Sequence, residues 1–164
     1  TLDEAARHGE IVFHASSGAG AVEAIQQAGP ANLDGKIVVD ISNPLDFSRG
    51  MPPSLTVCND DSLGEQVQRA APGAKVVKTL NTVNAYLMVA PGLLAGADHT
   101  MFVCGDDAAA KTTVTKILQD WFGWRDVIDL GGISMSRGTE MYLPLWARLY
   151  SALQNPMFSI KVVR

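Results

Sequence analysis

The chain has 164 residues, a formal net charge of −4 and 47% hydrophobic residues. That is the size of one domain with enough apolar material for a core. Scattered lysines and arginines argue against a nucleic-acid face, and no apolar run approaches the roughly 20 residues of a membrane span.

The first residues, Thr1-Leu-Asp-Glu4, read as a helix start with a Thr/Glu capping box. No initiator Met and no charged-then-apolar leader opens the chain, so no secretory signal is expected. Ile11–Ala15 is a short apolar strand, followed by an Ala-rich helix from Gly18 to Ala28 that Gly29-Pro30 stops. Lys36–Ile41 is the next strand, and Asn43-Pro44 through Pro52-Pro53 reads as loop. Ser62–Ala70 is predicted as helix, Lys75–Leu80 as strand, and Thr82–Val89 as a short helix. Thr100–Cys104 is a fourth strand. Asp107–Trp121 is a long helix whose Val114, Ile117, Leu118 and Trp121 share one face to be buried. Asp126–Leu130 is a fifth strand and Ser136–Leu153 a last helix, in which Pro144 forces a kink unless it lies in a first turn. Phe158–Val163 reads as a strand or an extended tail. Strands alternating with helices imply a mostly parallel sheet covered on both faces, which binds ligands beyond the carboxyl ends of its strands.

The loops after the strands therefore hold the candidates. Ser16-Ser17-Gly18-Ala19-Gly20 resembles a diphosphate loop, with Asp40 spaced like a ribose-binding acid. But Glu23 fills the third small position and would repel a phosphate, so a tight strand-to-helix turn is the competing reading. Ser42 and Asn43 could bind a carboxamide or ribose, or Asn43 could satisfy its own turn. Asn81 or Asn84 could face a ligand, with Thr82 capping the short helix. Asp106 and Asp107 read as an N-cap rather than a metal site. Arg137 could bind an anion or pair with Asp129 or Glu140. Met141, Leu145, Leu149 and Leu153, with Trp146 beside them, form a core or subunit stripe. Lys78 reads as a solvated or edge lysine. Cys58 and Cys104 show no metal-ligand spacing and read as buried free thiols in a reducing cytoplasm. His8, His14 and His99 stand apart, and spacing assembles no Ser/His/acid or Cys/His set. Hydride transfer needs placement rather than a nucleophile, so the absence fits a cofactor enzyme better than a hydrolase.

Asp40-Ile-Ser-Asn-Pro44, Val77-Lys-Thr-Leu-Asn81, Val103-Cys-Gly-Asp-Asp107 and Arg137-Gly-Thr-Glu-Met-Tyr-Leu-Pro-Leu145 follow one another here. In that order they resemble the NADP-dependent reductases of the 8-hydroxy-5-deazaflavin coenzyme F-420 and the dinucleotide-binding proteins grouped with them. The likeness runs from about Glu10 to Arg164. It implies a Rossmann-like, doubly wound, mostly parallel sheet truncated at the N-terminus: a single partial NAD(P)-binding domain over 1–164, with 136–164 as a C-terminal helix and tail. In that family the diphosphate loop lies on earlier strands, so Gly18-Ala19-Gly20 becomes a secondary loop and Asp40 ceases to be the ribose acid. The strand Ile11–Ala15 would then have an unpaired edge, and the chain is expected to be a fragment of a longer protein.

What carries over by resemblance is a cofactor pocket from Ser16 and Ser17, Asn43 and Pro44, Asn81 and Thr82, with Ser136 on the C-terminal helix. The implied activity is hydride transfer between NADP(H) and a deazaflavin or flavin-like acceptor, in a cytoplasmic homodimer whose ligands are small-molecule cofactors, with no nucleic-acid or membrane partner. Three alternatives stand beside it. One is a non-catalytic dimerising remnant that has lost the cofactor. Another is a ferric-reductase-like domain. The last is a small-molecule imine or hydroxyacid dehydrogenase, for which Lys78 would be the proton donor.

Overall fold

The structure is a computed structural model and describes residues 1–164. Helix α1 (Leu2–His8) carries the expected capping box, with Thr1 and Glu4 each satisfying the other's backbone N–H. It leads into β1 (Ile11–His14). A 3-10 turn (Gly18–Gly20) then runs into α2 (Ala21–Ala28), and β2 (Ile37–Asp40) follows. The segment read as loop holds a small antiparallel ribbon, β3 (Leu45–Asp46) with β4 (Ser54–Leu55). Then come α3 (Leu63–Ala70), β5 (Lys75–Thr79), α4 (Ala85–Val89), β6 (Thr100–Cys104), α5 (Ala108–Ile117) and β7 (Asp126–Asp129). Pro144 divides the last helix: α6 (Ser136–Met141) ends before it, and it sits in the first turn of α7 (Leu143–Leu153), where its missing N–H costs nothing.

The main sheet has the order β1-β2-β5-β6-β7. β1, β2 and β5 run parallel, and β6 and β7 run parallel to each other, but β6 is antiparallel to β5. The sheet is Rossmann-like and mostly parallel, with one reversal. The connection from β5 to β6 holds no long crossover helix, α4 having only five residues. Two 3-10 turns follow, Pro91–Leu93 and Ala95–Ala97, and the chain re-enters the sheet from the edge it left.

Strand alternation sorts the core into two halves. Val38 and Val76 join Ile25, Leu33, Leu63 and Val67 under α2 and α3. Val39, Val77 and Val103 join Leu87, Val114 and Trp124 under α4 and α5. Each such residue, fully buried, contributes about 1.5–3 kcal/mol. On α5 the predicted buried face holds through Leu118 and fails at Trp121, which is 71% exposed. The reason is that Leu118–Phe122 widens into a π turn, which rotates Trp121 out before Gly123 ends the element at φ 87°. Phe158–Val163 forms no ladder but lies extended along β6, with Thr100 N–H donating to Ile160 O at 2.9 Å. Trp146 packs between Tyr150 and Phe158 and holds this tail against α7.

Candidate functional site

The reversal decides where chemistry can gather. The carboxyl ends of β1, β2 and β5 share one edge of the sheet, while those of β6 and β7 point to the other. Gly105-Asp106-Asp107 therefore does not join the loops after the first three strands, and of the segment Gly131–Gly138 only Gly138 meets one, beside Thr82. Asp107 caps α5 through Ala110 N–H, and Asp106 accepts from Ile133 N–H, so both acids serve the backbone. The largest cavity, about 570 Å³, lies at that second edge among Arg69, Pro72, Gly73, Lys75, Asp106 and Asp107. It is shallow and polar and holds none of the predicted site residues.

At the first edge a cavity of about 520 Å³ is lined by Ala15, Ser16, Ser17, Gly18 and Ala19, by Ile41, Ser42, Asn43, Leu45 and Phe47, and by Ala85 and Met88 of α4. Ser16, Ser17 and Asn43 thus meet as expected. Gly18 is glycine because the loops touch: a Cβ there would stand 1.9 Å from Asn43 O. The loops after β2 and β5 are locked by a reciprocal pair. Asn43 Nδ2 donates to Asn81 O at 2.8 Å, and Asn81 Nδ2 donates to Asn43 Oδ1 at 3.0 Å. Asn81 is buried and shapes the cavity from behind. Pro44 is buried, and its carbonyl accepts from Thr56 N–H at 2.8 Å, anchoring β4.

Other expectations need correction. Asn84, not Thr82, caps α4, accepting from Tyr86 and Leu87 N–H and donating to Pro156 O. Thr82 is buried with its hydroxyl unpartnered, on a separate apolar hollow of about 190 Å³ beside Phe102 and Tyr142. Ser136 lies fully buried between α3 and α6, bonded to Ser62 Oγ and Ile133 O, away from the other six. Arg137 forms a two-pronged ion pair with Glu65 at 2.8 and 2.6 Å rather than with Asp129 or Glu140.

Lys78 is not solvated at all. Its ammonium is 0% exposed and lies 2.8 Å from Asp40 Oδ2, 2.6 Å from Ser42 O and 2.9 Å from Glu140 Oε1. Glu140 in turn accepts from Leu63 and Gly64 N–H at the start of α3. Asp40 also accepts from Ser42 N–H and Oγ–H and bonds His14 Nδ1 at 3.0 Å. His14 Nε2 meets Ser16 Oγ at 2.8 Å. His14, Asp40 and Lys78 are register partners on one sheet face. Burial alone would raise the Asp40 carboxyl, but the Lys78 charge and bonds from His14 and Lys78 outweigh it and hold it well below the usual carboxylate range. Burial works against the Lys78 charge too, and Asp40 and Glu140 overcome it, so its pKa is raised. An Asp40 so enclosed cannot be a ribose acid, and a Lys78 so enclosed cannot reach a substrate. Spacing missed the Ser16–His14–Asp40 line because Asp40 lies on a different strand from His14.

The cavity is lined by the small Ala15, Gly18 and Ala19, the apolar Leu45, Phe47 and Met88, and the serines Ser16, Ser17 and Ser42. No lysine or arginine lines it.

Sheet and helices together define a Rossmann-like protein. No protein-family model matches the chain. A solved structure of a candidate F-420-dependent NADP reductase from Arthrobacter sp. FB24 is 54% identical, with a TM-score of 0.97, over 100% of this chain and 74% of that one. The Sinorhizobium meliloti protein SMa0349 is 26% identical over 82% of this chain and 62% of that one, with a TM-score of 0.64. The metalloreductase STEAP3 of Rattus norvegicus is 30% identical over 118 residues, which are 70% of this chain and 22% of that protein. The chain belongs to the family of the F-420-dependent NADP reductases and related dinucleotide-binding proteins.

Proposed function

We propose that this chain is part of an NADP(H)-dependent oxidoreductase that passes a hydride between nicotinamide and a deazaflavin or flavin-like acceptor. The observation that carries it is the 54% identity to the Arthrobacter protein over the whole chain, in a fold with a cavity at its strand ends. When bound, the two cofactors supply the redox chemistry themselves. The chain's part is placement. Ala15, Gly18 and Ala19 let a ring approach the backbone, and Ser16 and Ser17 offer hydroxyls to a carboxamide or ring edge. Asn43 and Asn81 fix the loops, and Leu45, Phe47 and Met88 keep water out. Residues 1–164 are read as one part of a dinucleotide-binding domain, with 136–164 as its C-terminal helix and tail. The exposed Met141 (40%), Leu145 (54%) and Leu153 (56%) support a homodimer. No helix is long and apolar enough to cross a membrane.

The test is to purify the protein carrying this chain, titrate it with NADPH by calorimetry, and follow bleaching of oxidised deazaflavin by NADPH. Binding with bleaching is expected. Neither binding nor bleaching would leave the non-catalytic dimerising remnant as the better account. The likeness to the metalloreductase favours a second acceptor, a ferric chelate. Reduction of ferric citrate by NADPH without added deazaflavin would select it.

A further inference from the structure

Four polar groups run in a line from the cavity into the sheet: Ser16 Oγ to His14 Nε2 at 2.8 Å, His14 Nδ1 to Asp40 Oδ1 at 3.0 Å, and Asp40 Oδ2 to Lys78 Nζ at 2.8 Å. Ser16 lies on the cavity wall, half-buried, while His14 is buried behind it. Asp40 is the charged group that His14 bonds, with Lys78 and Glu140 behind it. The hollow on the other side of His14 is lined by apolar Leu2, Ala5, Ala24, Ile25 and Leu33 of α1, α2 and the turn beyond. Packing needs none of this polarity, since the same strand positions one step earlier are Val12, Val38 and Val76 in an apolar layer. The line ends at the place where a ring would sit.

We propose that Ser16, backed by His14 and Asp40, is the proton port of the acceptor site. This rests on the hydride-transfer reading above. A flavin-like acceptor that gains a hydride also gains a proton on a ring nitrogen. NADPH provides the hydride with its electron pair, and Ser16 Oγ–H provides the proton. His14 Nε2–H restores the serine hydroxyl and becomes neutral, and Asp40 keeps the imidazole oriented through Nδ1–H. Solvent at the cavity mouth then returns one proton to His14. In the reverse direction the ring's proton leaves by the same atoms. Asp40 stays ionised throughout, held so by Lys78. The geometry matches the orientation logic of serine–histidine–carboxylate sets, used here for a proton and not for an acyl group.

Ser16→Ala removes the port at a half-buried loop position, and Ser16→Thr keeps the hydroxyl. Both are compared with the native protein for turnover of NADPH with oxidised deazaflavin. Positioned general acids contribute about 10²–10⁴-fold. Ser16→Ala is expected to lower kcat about 100-fold, while Ser16→Thr stays within about fivefold of native. A readout without turnover accompanies this: oxidised deazaflavin added alone shifts the His14 imidazole ¹⁵N resonances in the native protein and not in Ser16→Ala. An active native protein with kcat unchanged in Ser16→Ala overturns the proposal alone, as does an equal loss in both variants or the same His14 shift in Ser16→Ala. A native protein that transfers no hydride overturns the functional reading and this proposal together.

Discussion

Replacing Lys78 with Met keeps the stem and removes the ammonium. In the native chain that ammonium meets Asp40, Ser42 O and Glu140 within 2.9 Å, at zero exposure. The variant leaves two buried carboxylates without their cation. Removing one partner of a buried pair costs about 3–5 kcal/mol. Both acids keep other donors, His14 and Ser42 for Asp40 and two α3 amides for Glu140, so the loss falls near the lower end, about 3 kcal/mol. At about 2–4 °C per kcal/mol for a chain of this size, Tm drops by about 6–12 °C. The sign with pH follows from the shifts. The lowered Asp40 pKa gives stability present above the unfolded carboxylate value and lost as pH falls toward the folded one. The raised Lys78 pKa gives stability present below the unfolded lysine value and lost as pH rises through the folded one. In the variant Asp40 keeps the His14 and Ser42 bonds but loses the Lys78 charge that offset its burial, so its neutral form gains. The gap to native is therefore widest near pH 7 and narrows toward pH 4. Urea unfolding followed by circular dichroism at both pH values measures it. A variant within about 1 kcal/mol of native at pH 7, or a gap that grows on acidification, refutes the assignment of Lys78 as the cation of this cluster.

Gly18→Ala drives a Cβ to 1.9 Å from Asn43 O, where only backbone can yield. It is expected to cost about 1–3 kcal/mol and to weaken NADPH binding by opening the cavity, both read by calorimetry; unchanged affinity would remove the cavity from the cofactor site. Cys104 is fully buried, its thiol pushed up to about 12 by burial, while Cys58 is part-exposed. A thiol reagent at pH 8 is therefore expected to modify Cys58 in the folded protein and both cysteines in urea. Rapid modification of Cys104 in the folded protein would contradict the packing of β6 against β5.

Hydrophobic periodicity and capping made most of the elements legible. Thr1/Glu4 and Asp107 cap where the sequence places caps, and Gly29-Pro30 and Pro144 break helices where they stand. Sheet direction was not legible, because periodicity reports burial and is blind to polarity. Trp121 failed because a single widened turn changes every later phase on the helix. The pocket was partly legible, because loops after parallel strands must meet. What the serines and asparagines bond to was not, since Asn43 finds Asn81 and Arg137 finds Glu65 only after the strands are ordered. The Ser16–His14–Asp40 line left one trace, His-x-Ser and Asp-x-Ser at the ends of neighbouring strands, which period-two alternation places on a common face.

The buried charges at the strand ends call for a reason beyond stability. Replacing a buried ion pair with well-packed apolar residues is often neutral or stabilising, and this sheet already carries valines one step down each strand. If Lys78, Asp40 and Glu140 served only to hold β2, β5 and α6 together, an apolar trio would do it as well. What an apolar trio could not do is keep a carboxylate ionised within reach of a histidine that bonds a serine on the cavity wall. The reversal of β6 makes the arrangement possible, because it leaves the carboxyl ends of three parallel strands alone at one edge. It also sends the next two strand ends, with their capping acids, to the other edge, where they cannot disturb it. On this argument the lysine is the support of a positioned proton path, and its burial, which disqualifies it as a substrate-touching donor, is what lets it play that part.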